Sequence, residues 1–197
     1  MPMIPALLLI ISAVAYRIAM GLFVQSDSTW LSNFAPLAAI ALCGGAFFPG
    51  KYKWGVPLLA LLVSDVVLNI HYSASLLDPL IFGRYLALIV VVCLGATLRN
   101  QAAFRSLLPA SVAGSVIFYV LTNAFSWLSD PGYVKNFGGL IQALTVGLPA
   151  YSATPAWMFF RNSLVSDLFF TAVFVLCMNF AAKFERSRAP AALSRAA

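Results

Sequence analysis

Apolar runs about as long as a lipid bilayer is thick recur along this chain, and the polar residues between them are too few to wrap them. A run that crosses hydrocarbon must satisfy its own backbone N–H and C=O groups, which leaves the α-helix or a closed barrel. Unbroken apolarity, without strict alternation, selects the helix. Six runs come close to the roughly 20 residues a span requires: Ile4 to Val24, Pro36 to Phe48, Trp54 to His71, Pro79 to Leu98, Leu107 to Trp127 and Trp157 to Phe184. The second is short and glycine-rich, so it is expected to be tilted, broken or enclosed by the others. A further piece, Phe137 to Leu148, follows the turn-forming Asp130-Pro131-Gly132 and reads as a partly inserted or surface-lying helix in a long loop. With 62% hydrophobic and 9% charged residues, a soluble domain of 197 residues is excluded. The expected fold is an all-α integral membrane protein, with 1–184 a six-helix transmembrane domain and 185–197 a disordered basic cytoplasmic tail.

The twelve Lys and Arg outnumber the six Asp and Glu, but they stand singly between apolar runs, a pattern of membrane topology and not of nucleic-acid binding. Lys51 and Lys53 follow the second run, Arg99 and Arg105 the fourth, and Lys183, Arg186, Arg188 and Arg195 the last. Connections 25–35 and 72–78 carry no Lys or Arg, and Lys135 is the exception to the alternation. Six spans with both termini in the cytoplasm of a bacterial inner membrane satisfy this pattern, with the tail near anionic lipid headgroups. The letters Leu-Val-Ser-Asp occur at Leu62 to Asp65 and again at Leu164 to Asp167. If the two are equivalent, the halves form a 3+3 inverted repeat, a transporter arrangement.

A charge inside a span is costly, about 2.5 to 3.5 kcal/mol at the centre on insertion scales, so it needs a partner or a wet cavity. Counting along the helices places Arg17, Asp65, Arg84, Arg161 and Asp167 all in the outer half or near the midplane. Arg17 or Arg84 can pair with Asp65. Arg161 and Asp167 lie on poorly aligned faces of one helix and are expected to have different partners. These charges are either helix staples or the lining of an outward-facing polar cavity. The outer loops and helix ends supply aromatic and amide groups suited to a flat ligand: Asn33, Phe34, His71, Tyr85, Asn123 and Trp127. Aromatics there also serve as an interfacial belt.

Motifs of chemistry are missing. There is no GxxxxGK[ST], GxSxG, HExxH or CxxC, and His71, the one histidine, has no His or Glu at a ligand spacing. Neither a cofactor nor a metal is implied, and an intramembrane enzyme using His71 with an aspartate is the weakest of the three functional readings. Cys43, Cys93 and Cys177 sit in apolar runs as small hydrophobes. Small-xxx-small steps at Ala15 and Ala19, Ala41 and Gly45, and Ala110 and Gly114 mark close helix packing or a docking face for a partner membrane protein.

Four stretches resemble a bacterial family of transport proteins of uncharacterised function, itself similar to the substrate-binding S components of energy-coupling factor vitamin transporters. They are Asn33 to Leu42 with Gly44-Gly45, Leu62 to Asp65, Thr122 to Trp127, and Phe159-Phe160-Arg161-Asn162-Ser163-Leu164 with Asp167. The resemblance implies a six-helix bundle that binds a small vitamin-like molecule near the outer face, at loops and outer helix ends that include Asn162. It also implies docking of an energy-coupling transmembrane subunit with its ATPases through an Ala-xxx-Ala step. Ala15 and Ala19 supply those letters with Arg17 between them, which leaves a solitary transporter open, and cobalamin is the S-component ligand that suits one. The function expected is membrane uptake of a vitamin- or cofactor-like molecule, with Asp65, Arg84, Asn123 and Arg161 as polar anchors. The alternative is a structural or assembly subunit in which the same residues only join helices.

Overall fold

The computed structural model describes residues 3–23, 34–73 and 79–193. These form α1 (Met3–Phe23), α2 (Leu37–Phe47), α3 (Tyr52–His71), α4 (Pro79–Thr97), α5 (Phe104–Ser129), α6 (Phe137–Thr145) and α7 (Ala156–Leu193), with a 3-10 turn at Arg99–Gln101. There is no strand among the described residues. α1, α3, α4, α5 and α7 are long and apolar enough to cross a membrane. Their outer surfaces carry exposed Ile4, Leu8, Leu59, Phe82, Phe169 and Phe180. Large side chains left bare on several long helices are what a protein solvated by lipid presents, and the chain is a membrane-embedded protein on that ground.

Contacts between pairs of helices fix their directions. Arg17 meets Asp65 and Gly21 meets Leu68, so α1 and α3 are parallel. Gly83 packs on Phe125 and Gly114 on Val91, so α4 and α5 are antiparallel. Asp167 meets Ser115 and Thr171 meets Ser111, which makes α5 and α7 antiparallel as well. Asp65 and Arg84, each less than two turns from the α3–α4 connection, meet across an antiparallel pair. The neighbours close on themselves: α1 packs on α3, α3 on α4, α4 on α5, α5 on α7 and α7 on α1.

Inside this ring of five stands α2, which touches every member. Its residues Ala38 through Phe47 are all buried, as expected of a helix apolar on every side. Its 11 residues measure about 16 Å, half the hydrocarbon thickness. The run Pro36 to Phe48, expected to be tilted, broken or enclosed by the others, forms a short enclosed helix. Small residues let it sit there. Position 45 of α2 lies against the backbone of Val92 and Ala96 of α4, and Gly95 of α4 lies against the backbone of Leu42, so neither could carry a side chain without a clash. Gly44 abuts the Pro57 ring of α3. At the C-terminal end of α2 the Phe47 ring stacks on Phe174 of α7, 5.6 Å apart.

The expected loop helix exists as α6, packed on α5 and α7. Asn136 starts it by accepting from the Gly139 N–H at 2.8 Å. The last helix runs on through Leu193, past Phe184, so 185–193 are helical where a disordered tail is expected. Ala, Glu and Arg in that stretch are strong helix formers. Residues 194–197 lie outside the described ones.

Candidate functional site

Two buried carboxylates, one on each side of α2, organise the polar interior. Asp65 of α3 is 4% exposed and Arg17 of α1 is 8% exposed. An Arg17 guanidinium N–H donates to Asp65 Oδ1 at 2.7 Å, and a second donates to Ser64 Oγ. Arg84 Nη1 of α4 stands 3.6 Å from the same Oδ1. The Ser64 hydroxyl lies within reach of the carbonyls of Ala60 and Leu61 one turn back. Asp65 Oδ2 has no hydrogen-bond partner among the described residues. Tyr85 stands close enough to interact with all three charges. The arrangement ties α1, α3 and α4 together roughly two turns from the ends of the helices.

Asp167 of α7 is held differently. The first N–H groups of a helix have no partner inside it, and α2 begins at Pro36, which offers no side-chain cap. Asp167 supplies the cap from another helix: its Oδ1 accepts from the Ala39 N–H at 2.9 Å, and the Ala38 N–H reaches the same carboxylate. Ser115 Oγ of α5 is 2.8 Å from Oδ2. Beyond Ser115 the polar contacts continue through Ser111 and Thr171, whose side-chain oxygens are 3.2 Å apart, to the Cys43 thiol.

Above Asp167 a cleft of about 160 Å³ opens between α5 and α7 toward the end that carries α6. α5 lines it with Ser115, Phe118, Tyr119, Thr122 and Asn123, and α7 with Ala156, Phe159, Phe160, Ser163 and Asp167. The α5 set repeats at three and four residues and is one helix face. Tyr119 and Phe160 pack ring to ring at 4.7 Å, and the Tyr119 hydroxyl donates to the Leu144 carbonyl of α6 at 2.7 Å. That bond joins the cleft wall to α6. Tyr119→Phe is expected to lower stability by about 1 kcal/mol and to speed amide exchange in α6 while leaving the rest of the bundle protected, as hydrogen-exchange mass spectrometry would show.

Residues 2–192 match the family described as a family of unknown function, DUF6580. The chain belongs to that family. No curated protein and no solved structure matches it.

Of the sequence candidates, this DUF6580 member brings Asn123 and Asp167 into the cleft and gathers Asp65, Arg84 and Tyr85 at the second centre. Asn123 donates to the Tyr119 carbonyl at 2.9 Å. Asn162, 3% exposed, accepts from its neighbour Arg161 at 3.1 and 3.2 Å, and that guanidinium sits 5.9 Å from the centre of the Trp157 ring. Arg161 and Asp167 thus keep different partners. Phe34 packs edge-on against Tyr16 of α1, 6.2 Å between centroids. His71 is exposed at the end of α3 against Tyr72. Trp127 donates its indole N–H to the Val134 carbonyl at 2.9 Å, and Lys135 donates to the Trp127 carbonyl, so that ring fixes the loop before α6 and does not line the cleft. In the same loop, burial pushes the Tyr133 phenol above its usual range. Asn33 lies outside the described residues. Ser115, Phe118, Thr122, Phe159, Phe160 and Ser163 are additions: their helical spacing was readable, their common facing across α5 and α7 was not. No group of three or more His, Cys, Asp or Glu that could hold a metal occurs among the described residues.

Proposed function

We propose that this protein is an uptake protein of a bacterial cytoplasmic membrane, binding a small vitamin- or cofactor-like molecule from the outside and passing it inward. The observation that carries this reading is the cleft: open toward the α6 end, walled by aromatic rings and hydroxyls, and floored by Asp167 on the N-terminus of a helix that stops about halfway across. A helix ending at mid-depth with its positive end toward a polar site is how many transporters build a binding site. The end bearing Lys51, Lys53, Arg99, Arg105 and Lys183 is then cytoplasmic, and the cleft faces outward. The chain must return across the membrane between the parallel α1 and α3, and α2 lies on that return, which gives six passages and both termini inside. The two Ser-Asp pairs, on oppositely running α3 and α7, favour the inverted repeat.

A cleft of about 160 Å³ is smaller than the roughly 300–1,000 Å³ of pockets for drug-sized ligands. A compact molecule with a flat apolar part and several hydrogen-bonding groups fits that size better than cobalamin, which would require α5 and α7 to part. Arg17 turns inward to Asp65 while Ala15 is exposed, so the Ala15 and Ala19 face is free for an energy-coupling subunit of the S-component type. We read the protein as a carrier: its one histidine, the usual general base, is exposed at the end of α3, away from the cleft.

Thermal-shift measurements of the purified protein against a panel of vitamins test the proposal. One ligand at a hundredfold excess over its Kd is expected to add about 2.7 kcal/mol, with Asn123→Ala and Phe160→Ala abolishing most of the shift. The absence of a shift with every compound counts against it. The second reading, a structural subunit, draws on the fact that Arg17, Asp65 and Asp167 each join helices. It expects no ligand shift and only loss of stability on substitution.

A further inference from the structure

The two echoed acids differ in one respect that bears on energy coupling. Asp65 is met by two arginines. Asp167 has no cation within ion-pair distance among the described residues, although it sits near the middle of the bundle and is 2% exposed. The titratable groups near it are the Cys43 thiol from α2 and the Tyr119 phenol from α5, while Arg161 on its own helix is bonded to Asn162 and lies near the Trp157 ring. α1 approaches α7 through Tyr16 on Phe170, and α6 contributes no titratable side chain.

The proton count at Ser115 is the deciding detail. Ser115 Oγ is 2.8 Å from Asp167 Oδ2 and 2.9 Å from the Ser111 carbonyl, and both of those atoms are acceptors when Asp167 is ionised. With Asp167 ionised, the one hydroxyl proton of Ser115 must be shared between the two acceptors as a three-centre bond. With Asp167 protonated, Oδ2–H donates to Ser115 and Ser115 donates to Ser111, so each contact has a proton of its own. We propose that Asp167 is a proton-loading site, and that, given the uptake function proposed above, ligand binding in the cleft is linked to its protonation. The carboxylate takes one proton from water in the cleft and returns one when it ionises. Because the same carboxylate lines the cleft and caps α2, a ligand donor that reaches it competes with the proton, and ionisation tightens the hold on the N-terminus of α2 through the helix dipole. Asp65 instead lies between two cations, Arg17 and Arg84.

Infrared difference spectroscopy of the full-length protein across a pH series, in water and in deuterium oxide, tests this with the proton as the only ligand. The expected result is a protonated-carboxyl carbonyl band at neutral pH that shifts on deuteration, disappears in Asp167→Asn and persists in Asp65→Asn. Ser115→Ala, which keeps the carboxyl and removes its partner, should move the band to higher frequency, so the test stands even if Asp167→Asn does not fold. Absence of the band at neutral pH, its loss in Asp65→Asn, or an unmoved band in Ser115→Ala would overturn the proposal. None of these readouts needs an uptake substrate, so the result is independent of the ligand screen.

Discussion

Asp65→Leu is expected to destabilise the folded protein by about 3–5 kcal/mol. The substitution leaves the guanidinium of Arg17, 8% exposed, with Ser64 as its remaining partner among the described residues, and places Arg84 beside it with no carboxylate between the two cations. Burying an unopposed charge costs far more than the ion pair contributes, and the matching double change shows the difference. Arg17→Met with Asp65→Leu removes both charges and keeps their volume, and is expected to recover most of the loss. Arg84, 29% exposed at its side chain, can turn toward headgroups and relieve its own share by snorkelling. Equilibrium unfolding in detergent measures all three proteins. A loss below about 1 kcal/mol in the single variant, or no recovery in the double, would show that the centre is not a buried ion pair.

Gly95→Val is expected to cost about 3 kcal/mol or more, at the upper end of overpacking penalties. The first side-chain atom at position 95 would fall on the Leu42 carbonyl of α2. Backbone cannot rotate aside as a flexible side chain can, so α2 and α4 must separate along their contact, and the burial of α2 against four other helices resists that. Gly55 of α3 provides the control. A Cβ there meets nothing within 4 Å, so Gly55→Ala is expected to be neutral or to stabilise by up to about 1 kcal/mol through helix propensity. Melting temperatures of the pair separate a steric seat from a general effect of adding a methyl group. Equal melting temperatures for the two variants would refute the close approach.

Hydropathy made the five long helices legible to within a few residues, except at the C-terminal end of α7, and the glycines and small length of Pro36 to Phe48 pointed to enclosure. The loop helix after Asp130-Pro131-Gly132 was readable from turn chemistry and appears at Phe137–Thr145. Depth counting brought Arg17, Asp65 and Arg84 to one level, and the ion pairs followed because charge in hydrocarbon has so few alternatives. The partner of Asp167 was not readable. It is a backbone N–H, a group every residue but proline has, exposed only because α2 starts where it does. The α5–α7 cleft was hidden for a related reason: Ser115, Phe118 and Thr122 are ordinary residues of a membrane helix until a second helix is known to face them. His71 and Trp127 drew attention by type, and the structure uses them at the surface and in a loop.

The enclosure of α2 also bears on the order in which the protein is made. A segment this short presents too little apolar length to enter the bilayer by itself, and its hydrogen-bonding ends would lie in hydrocarbon if it did. Its seat on Gly95 belongs to α4, and its cap, Asp167, belongs to the last helix of the chain. During synthesis α2 therefore emerges early but acquires its site late, and until α7 arrives its N-terminal amides lack their acceptor. The final helix is in this sense the keystone of the bundle, and truncations before Asp167 should leave α2 accessible to proteases that cannot reach it in the complete protein.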